Sequence, residues 1–167
     1  MRDLFVMDKG DYQNDWPVYK RDSARAIIQR NGMLAMVYAA SLGLYKFPGG
    51  GIEPGEEHRQ TLLREVHEET GLTIDPSTIR PYGRVLVRRR GQMGSEIFEQ
   101  ENFYYTAELA DDRAGVLHLD EYEERLGFSL RWVTAKEAWE TNHSITAPTE
   151  QRWVERDTSV LKLLAKE

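Results

Sequence analysis

Two apolar runs, AII and MLAMV, flank Asn31-Gly32 in the stretch 25–38. That dipeptide suits a two-residue turn with φ > 0 at both central positions, so the segment predicts a β-hairpin. A loop of small residues (AASLG) follows, and Tyr45-Lys46-Phe47-Pro48 then leads into Gly49-Gly50-Gly51. Pro54-Gly55 interrupts the chain again, and from Glu56 to Thr70 the period becomes helical. Leu62 and Val66 lie four apart with Leu63 beside them, which gives one apolar stripe, and Gly71 ends the helix as a C-terminal cap. Strand patterns return at Arg84–Arg88, Asn102–Leu109 and Phe128–Val133. Thr134 and Glu137 form a capping box that opens a short helix through Trp139. A last amphipathic helix, from about Thr149 to Ala165, carries Trp153, Val160, Leu161 and Leu164. An early hairpin followed by strands with helices between them predicts an α/β fold, a mixed sheet covered by helices.

Composition narrows the chemistry. The 167 residues fit one domain spanning 1–167, with 40% hydrophobic and 30% charged residues. A net charge of −6 argues against nucleic acid or an anionic membrane as a partner held by bulk electrostatics. The absence of cysteine excludes disulfides, thiolate zinc sites and cysteine nucleophiles. MRDLFVMDKGDYQND is broken by charges every few residues, and no apolar run approaches the ~18 residues of a membrane span. The expectation is a cytoplasmic protein with no membrane partner.

The helix after the glycines carries the chemistry. Glu65 and Glu69 stack one turn apart and Glu68 lies beside both, so three carboxylates converge while Leu62 and Val66 turn to the core. A bare glutamate-rich helix face is more often simply solvated. Here few lysines are placed to pair with it, and a Gly/Pro loop precedes it. Such a cluster suits a hard divalent cation with oxygen ligands: Mg²⁺ first, Mn²⁺ as a substitute. Arg64 can orient one carboxylate, and the glycines let backbone groups approach a metal or phosphate closely.

Gly50, Glu56, Arg64, Glu65, Val66, Glu68, Glu69, Gly71 and Leu72 fill all nine specified positions of G-x₅-E-x₇-R-E-U-x-E-E-x-G-U, where U is aliphatic. The stretch from Gly50 to Leu72 resembles the signature of the Nudix hydrolases, the family that includes the MutT-like pyrophosphohydrolases. The resemblance implies an α/β/α sandwich and Mg²⁺-dependent hydrolysis of a nucleoside diphosphate linked to another group. It implies Glu65 and Glu69 as main metal ligands, with Glu68 sharing the site and a backbone carbonyl of Gly49 or Gly50 completing the shell. Arg64 would orient the cluster, Glu56 would brace the helix, and Gly71 would be structural. The expected partner is a small nucleotide, a nucleoside triphosphate (oxidised or ordinary) in first place. ADP-ribose, nucleotide sugars, dinucleoside polyphosphates and capped RNA stand as alternatives, and a homodimer is compatible with the pattern. A non-catalytic sensing module and an isoprenoid-diphosphate isomerase are the rivals, and the intact box counts against both.

The signature leaves the general base open. It is a box glutamate or a residue of the loop DEYEERLGF, where Glu123 and Glu124 are preferred to Glu121. Arg84, Arg88 and Arg90 share strand parity, with Arg89 adding to the cluster. They read first as a solvated basic strand end and second as phosphate receivers, Arg84 and Arg88 foremost. His58 and His67 read as surface residues, and nothing in the sequence pairs with His143. Phe103 and Tyr104 read as core, while Trp16 and Tyr19 stay open for base stacking.

Overall fold

A computed structural model describes residues 1–111, 113–145 and 153–167. The hairpin is present as β3 (Ser23–Arg30) and β4 (Met33–Ala39), with Asn31 at φ 51° and Gly32 at φ 76°. Before it come β1 (Asp3–Asp8) and β2 (Val18–Lys20), and after it β5 (Leu44–Lys46) and the glycine strand β6 (Gly49–Gly51). Helix α1 (His58–Thr70) is followed by β7 (Arg80–Arg90), β8 (Ile97–Ala107), α2 (Glu121–Leu126) and β9 (Phe128–Val133). Helices α3 (Ala135–Ser144) and α4 (Val154–Leu164) close the described chain.

The sheet runs β1-β7-β8-β3-β4-β5, with β2 added to β8, β6 to β3 and β9 to β4. It is mixed: β3 is parallel to β8 and antiparallel to β4 and β6. Strand alternation sorts β3 between two cores. Ala24, Ala26 and Ile28 face Leu62 and Val66 of α1, whereas Ile27 joins Val160 and Leu161 of α4 and Ala138 of α3. Small alanines under α1 let the helix approach the sheet closely. The outcome is the expected sandwich, with α1 on one face and α3 and α4 on the other.

Several boundaries differ from expectation, each for a local reason. Helix α1 starts at His58 rather than Glu56, because Glu57 is the cap residue and its N–H donates to Gln60 Oε1 (2.8 Å). Strands β1 and β2 lie outside the expected elements: β1 is a four-residue apolar run, Leu4–Met7, bounded by Asp3 and Asp8, and β2 is three exposed residues, both too short to show a period. The segment expected as an acidic loop is helix α2. Asp120 caps it by accepting from the Glu123 N–H (2.8 Å), and Gly127 at φ 68° ends it. The expected start of the last helix at Thr149 lies outside the described residues, and its described part begins at Val154. No described helix is long and apolar enough to cross a membrane.

Candidate active site

Glycine places the first carboxylate. Strand β6 pairs antiparallel with Ser23–Arg25 of β3, which fixes the glycines beside α1. A Cβ at Gly50 would lie 2.3 Å from the Glu65 carboxylate oxygens, so Glu65 occupies the space a side chain would fill. Gly49 needs glycine twice over: its φ is 136°, and a Cβ there would meet the Ala24 carbonyl oxygen at 2.2 Å.

Glu69, one turn further on, is only 1% exposed. The Gly49 N–H donates to its Oε2 (2.8 Å), and the buried Lys46 ammonium donates to its Oε1. Lys46 also donates to the Gly49 carbonyl (2.9 Å), and Arg25 donates to the same oxygen. Burial pushes the Glu69 carboxyl above the ordinary carboxylate range, against the pull of Lys46 and Arg25. Burial also raises Glu65, and the neighbouring Glu69 charge adds to this. Arg64 holds the outer side of the cluster. It forks onto Glu56 (Nε to Oε1 and Nη2 to Oε2, both 2.9 Å) and donates to Glu65 (2.6 Å) and Glu68 (3.3 Å). Glu56 also accepts from the Thr61 hydroxyl (2.7 Å), and the Arg64 bonds chiefly hold its carboxyl down at about 2.

The third carboxylate comes from α2. One oxygen each from Glu65, Glu69 and Glu123 lie within 4.8 Å of one another. All three offer hard oxygen ligands, so the donor set fits a hard divalent cation. Above them opens a cleft of about 570 Å³ whose walls include Arg21, Arg25, Lys46 and Arg89, with Phe98 and Trp153. Carboxylates and cations share one cleft, a combination suited to an anionic substrate that arrives with a metal ion.

The structure sorts the sequence-derived candidates. Glu65, Glu69 and Glu123 meet. Glu68 is outside that group: its side chain is 37% exposed and accepts from Arg64 (3.3 Å), and it lines an adjoining cleft with Glu65 and Glu123. Glu121 and Glu124 are exposed on α2 and stand outside the cluster. The Gly49 carbonyl is taken up by Lys46 and Arg25, and Gly50 contributes space against Glu65. Arg84 and Arg88 are not brought to the cleft. Arg84 pairs with Asp3 and Glu101, and Arg88 pairs with Glu99 (3.0 Å). Arg89, of opposite parity on β7, faces the cleft instead. Gly71 takes φ 70° and donates its N–H to the His67 carbonyl (2.8 Å), the cap that was expected.

Among the aromatics and histidines, Tyr104 is fully buried and Phe103 lies under His58 at 4.3 Å between ring centroids. His58 is therefore half-buried rather than a surface residue, and it shares a 2.7 Å hydrogen bond with the Tyr105 hydroxyl. His67 is exposed beside His118, and His143 stacks on Trp139. Sequence reading missed Arg21, Arg25 and Lys46. Arg25 and Lys46 each carry a signal, a lone cation inside an apolar strand (SARAII and LYKF), whereas Arg21, between Lys20 and Asp22, carries none.

A family model of the NUDIX domain matches residues 19–156. The chain belongs to the Nudix family. Within this Nudix domain, the carboxylates of α1 and the glycine strand are the parts the signature specifies, whereas the cationic wall lies outside it. The CTP pyrophosphohydrolase of Escherichia coli (strain K12) is 49% identical over 51 residues, 28% of this chain and 38% of that protein. That match spans well under half of the relative's length. The RNA pyrophosphohydrolase of Hydrogenovibrio crunogenus (strain DSM 25203 / XCL-2) is 26% identical over 162 residues, 89% of this chain and 94% of that protein. A solved Nudix hydrolase from Nitrosomonas europaea superposes with TM-score 0.57 at 19% identity, over 85% of this chain and 90% of that one. This last likeness is one of fold.

Proposed function

We propose that this Nudix protein is an Mg²⁺-dependent pyrophosphohydrolase that cleaves a phosphoric anhydride of a nucleoside triphosphate. The observation that carries the reading is the meeting of Glu65, Glu69 and Glu123 in a cleft that also holds Arg21, Arg25, Lys46 and Arg89. Glu65 and Glu69 would hold the ion. When bound there, Mg²⁺ supplies charge neutralisation at the phosphoryl oxygens and a more acidic attacking water. Arg64 orients Glu65, and Glu56 braces Arg64 through its two-pronged ion pair. Glu123 stands on a separate helix across from the α1 pair and takes the proton of the attacking water. The new P–O bond forms from that water, the anhydride P–O bond breaks, and the leaving phosphate group departs with the bridging oxygen.

A second reading has one observation behind it. The relative matched over 162 residues is an RNA pyrophosphohydrolase, and a triphosphate at an RNA 5′ end presents the same anhydrides. The acidic net charge of −6 favours the free nucleotide over the polyanion.

The test is turnover with Mg²⁺ of the four nucleoside triphosphates, ADP-ribose, a nucleotide sugar and a 5′-triphosphate RNA. A triphosphate is expected to have the highest kcat/KM. Glu65→Gln, Glu69→Gln and Glu123→Gln are each expected to lower kcat by roughly 100-fold or more. Wild-type protein that turns over none of these sinks the enzyme reading, and turnover of ADP-ribose alone replaces the substrate. Full activity in both Glu65→Gln and Glu69→Gln removes the metal assignment, and full activity in Glu123→Gln removes the proposed base.

A further inference from the structure

Strands β2, β8 and β7 align three side chains in one row. Tyr19 is the register partner of Phe98, and Phe98 is the register partner of Arg89. The Arg89 guanidinium lies over the Phe98 ring, 4.0 Å from its centroid, and Tyr19 leans on the other side at 6.1 Å. Arg21 follows β2 directly, and its backbone is held on both sides. Its N–H donates to the Glu99 carbonyl (3.2 Å), and its carbonyl accepts from Gln100 Nε2 (2.7 Å). Its guanidinium fills the space left by the third glycine, since a Cβ on Gly51 would sit 3.1 Å from Arg21 Nε.

These two arginines differ from most of those around them. Arg64, Arg84, Arg88 and Arg156 each pair with a carboxylate. Arg21 and Arg89 have no carboxylate partner among the described residues; the Arg89 side chain donates only to the Arg90 carbonyl (2.9 Å). Both line the cleft that contains Glu65, Glu69 and Glu123. Behind them the Arg25 side chain is also in the wall, only 7% exposed, and its Nε has no hydrogen-bond partner among the described residues. Guanidinium groups placed near carboxylates yet not neutralised by them retain their forked donors for an incoming anion. Three carboxylates alone would repel a phosphate chain, so a fixed cationic wall is what admits it.

We propose that Arg21 and Arg89 form the phosphate-binding wall of this cleft. Each takes non-bridging oxygens of the substrate's phosphate chain, and Phe98 holds Arg89 in place by cation–π contact. The proposal rests on the pyrophosphohydrolase reading and adds to it the residues that recognise the phosphates, none of them in the signature.

Binding of two non-hydrolysable probes by calorimetry, with Mg²⁺ present, tests it. One is methylenediphosphonate, which has no nucleoside, and the other is a nucleoside triphosphate analogue with both bridging oxygens replaced by methylene. Arg21→Gln and Arg89→Gln are each expected to weaken both probes by at least about ten-fold. They should raise KM more than they lower kcat and leave Mn²⁺ binding without nucleotide within about two-fold of wild type. Arg21→Lys and Arg89→Lys are expected to recover part of the loss, because they keep the charge without the fork. Arg88→Gln, on the other face of β7, is the control and should bind as wild type does. Wild-type affinity for both probes in Arg21→Gln and Arg89→Gln overturns the proposal and leaves the enzyme reading standing. Binding of methylenediphosphonate alone, lost in both variants, supports the phosphate wall and overturns the nucleotide as substrate. No binding of either probe by the wild type overturns both.

Discussion

Gly50 and Glu65 illustrate how a site is set by what is missing. A methyl at residue 50 would fall 2.3 Å from the Glu65 carboxylate, and the far end of that flexible side chain can swing away. Gly50→Ala is therefore expected to cut kcat/KM by at least ~10-fold through a misplaced ligand, with little change in the melting temperature. Unchanged kcat/KM would show that the position of Glu65 does not matter to turnover. Glu56 behaves differently, because its partner is fixed. Its carboxyl is lowered from 4.5 to about 2 in the folded protein, so the stability it adds is fully present above pH 4.5. That contribution is lost as pH falls from about 4.5 towards 2. Glu56→Gln is expected to cost about 2 kcal/mol at pH 7, by urea unfolding. The gap from wild type should shrink steadily below pH 4.5, and a gap independent of pH would remove the ion pair as its cause.

At the scale of elements, α2 departs most from expectation. A six-residue acidic segment has too few apolar positions to show a period, so it reads as a loop. Its two ends decide otherwise: Asp120 and Glu123 bond reciprocally (2.8 and 3.0 Å), and Gly127 closes the turn. Helical geometry then separates the three glutamates, sending Glu123 towards Glu65 and leaving Glu121 and Glu124 exposed. Asp120→Ala is expected to destabilise α2 by about 1 kcal/mol, seen as faster amide exchange over residues 121–126. If the cap positions Glu123, kcat falls with it; faster exchange with unchanged kcat would separate the helix from the chemistry.

Across the whole molecule, a buried polar network ties α4 to the site. Asp157 accepts from the Tyr104 hydroxyl (2.9 Å), from the Phe47 N–H (3.0 Å) and from Arg156 Nε (2.9 Å). Phe47 immediately precedes the Pro-Gly turn into β6, so the last helix pins the segment that carries Gly49 and Gly50. Burial, and then the Asp157 charge, push the Tyr104 hydroxyl far above its ordinary range, which keeps it a donor. Asp157→Ala leaves a buried Arg156 unpaired and is expected to cost roughly 3 kcal/mol in unfolding free energy. Activity should drop alongside it, and a variant as stable as wild type would show that water or rearrangement satisfies these groups.

The box helix, the hairpin, β9 and the start of α3 could be read from the chain alone, because each depends on neighbours a few residues apart. Apolar spacing, Asn31-Gly32, Gly71 and the Thr134–Glu137 box are local signals, and Glu65 and Glu69 meet through one turn of helix. The companions of those carboxylates were beyond local spacing. Glu123 comes from α2, Lys46 from β5, Arg25 from β3 and Arg89 from β7, and only the packing of sheet against helices brings them together. Tertiary structure also decided which arginines are engaged. Arg84, Arg88 and Arg89 look alike in RVLVRRR, but strand alternation pairs the first two with carboxylates on one face and turns Arg89 into the cleft.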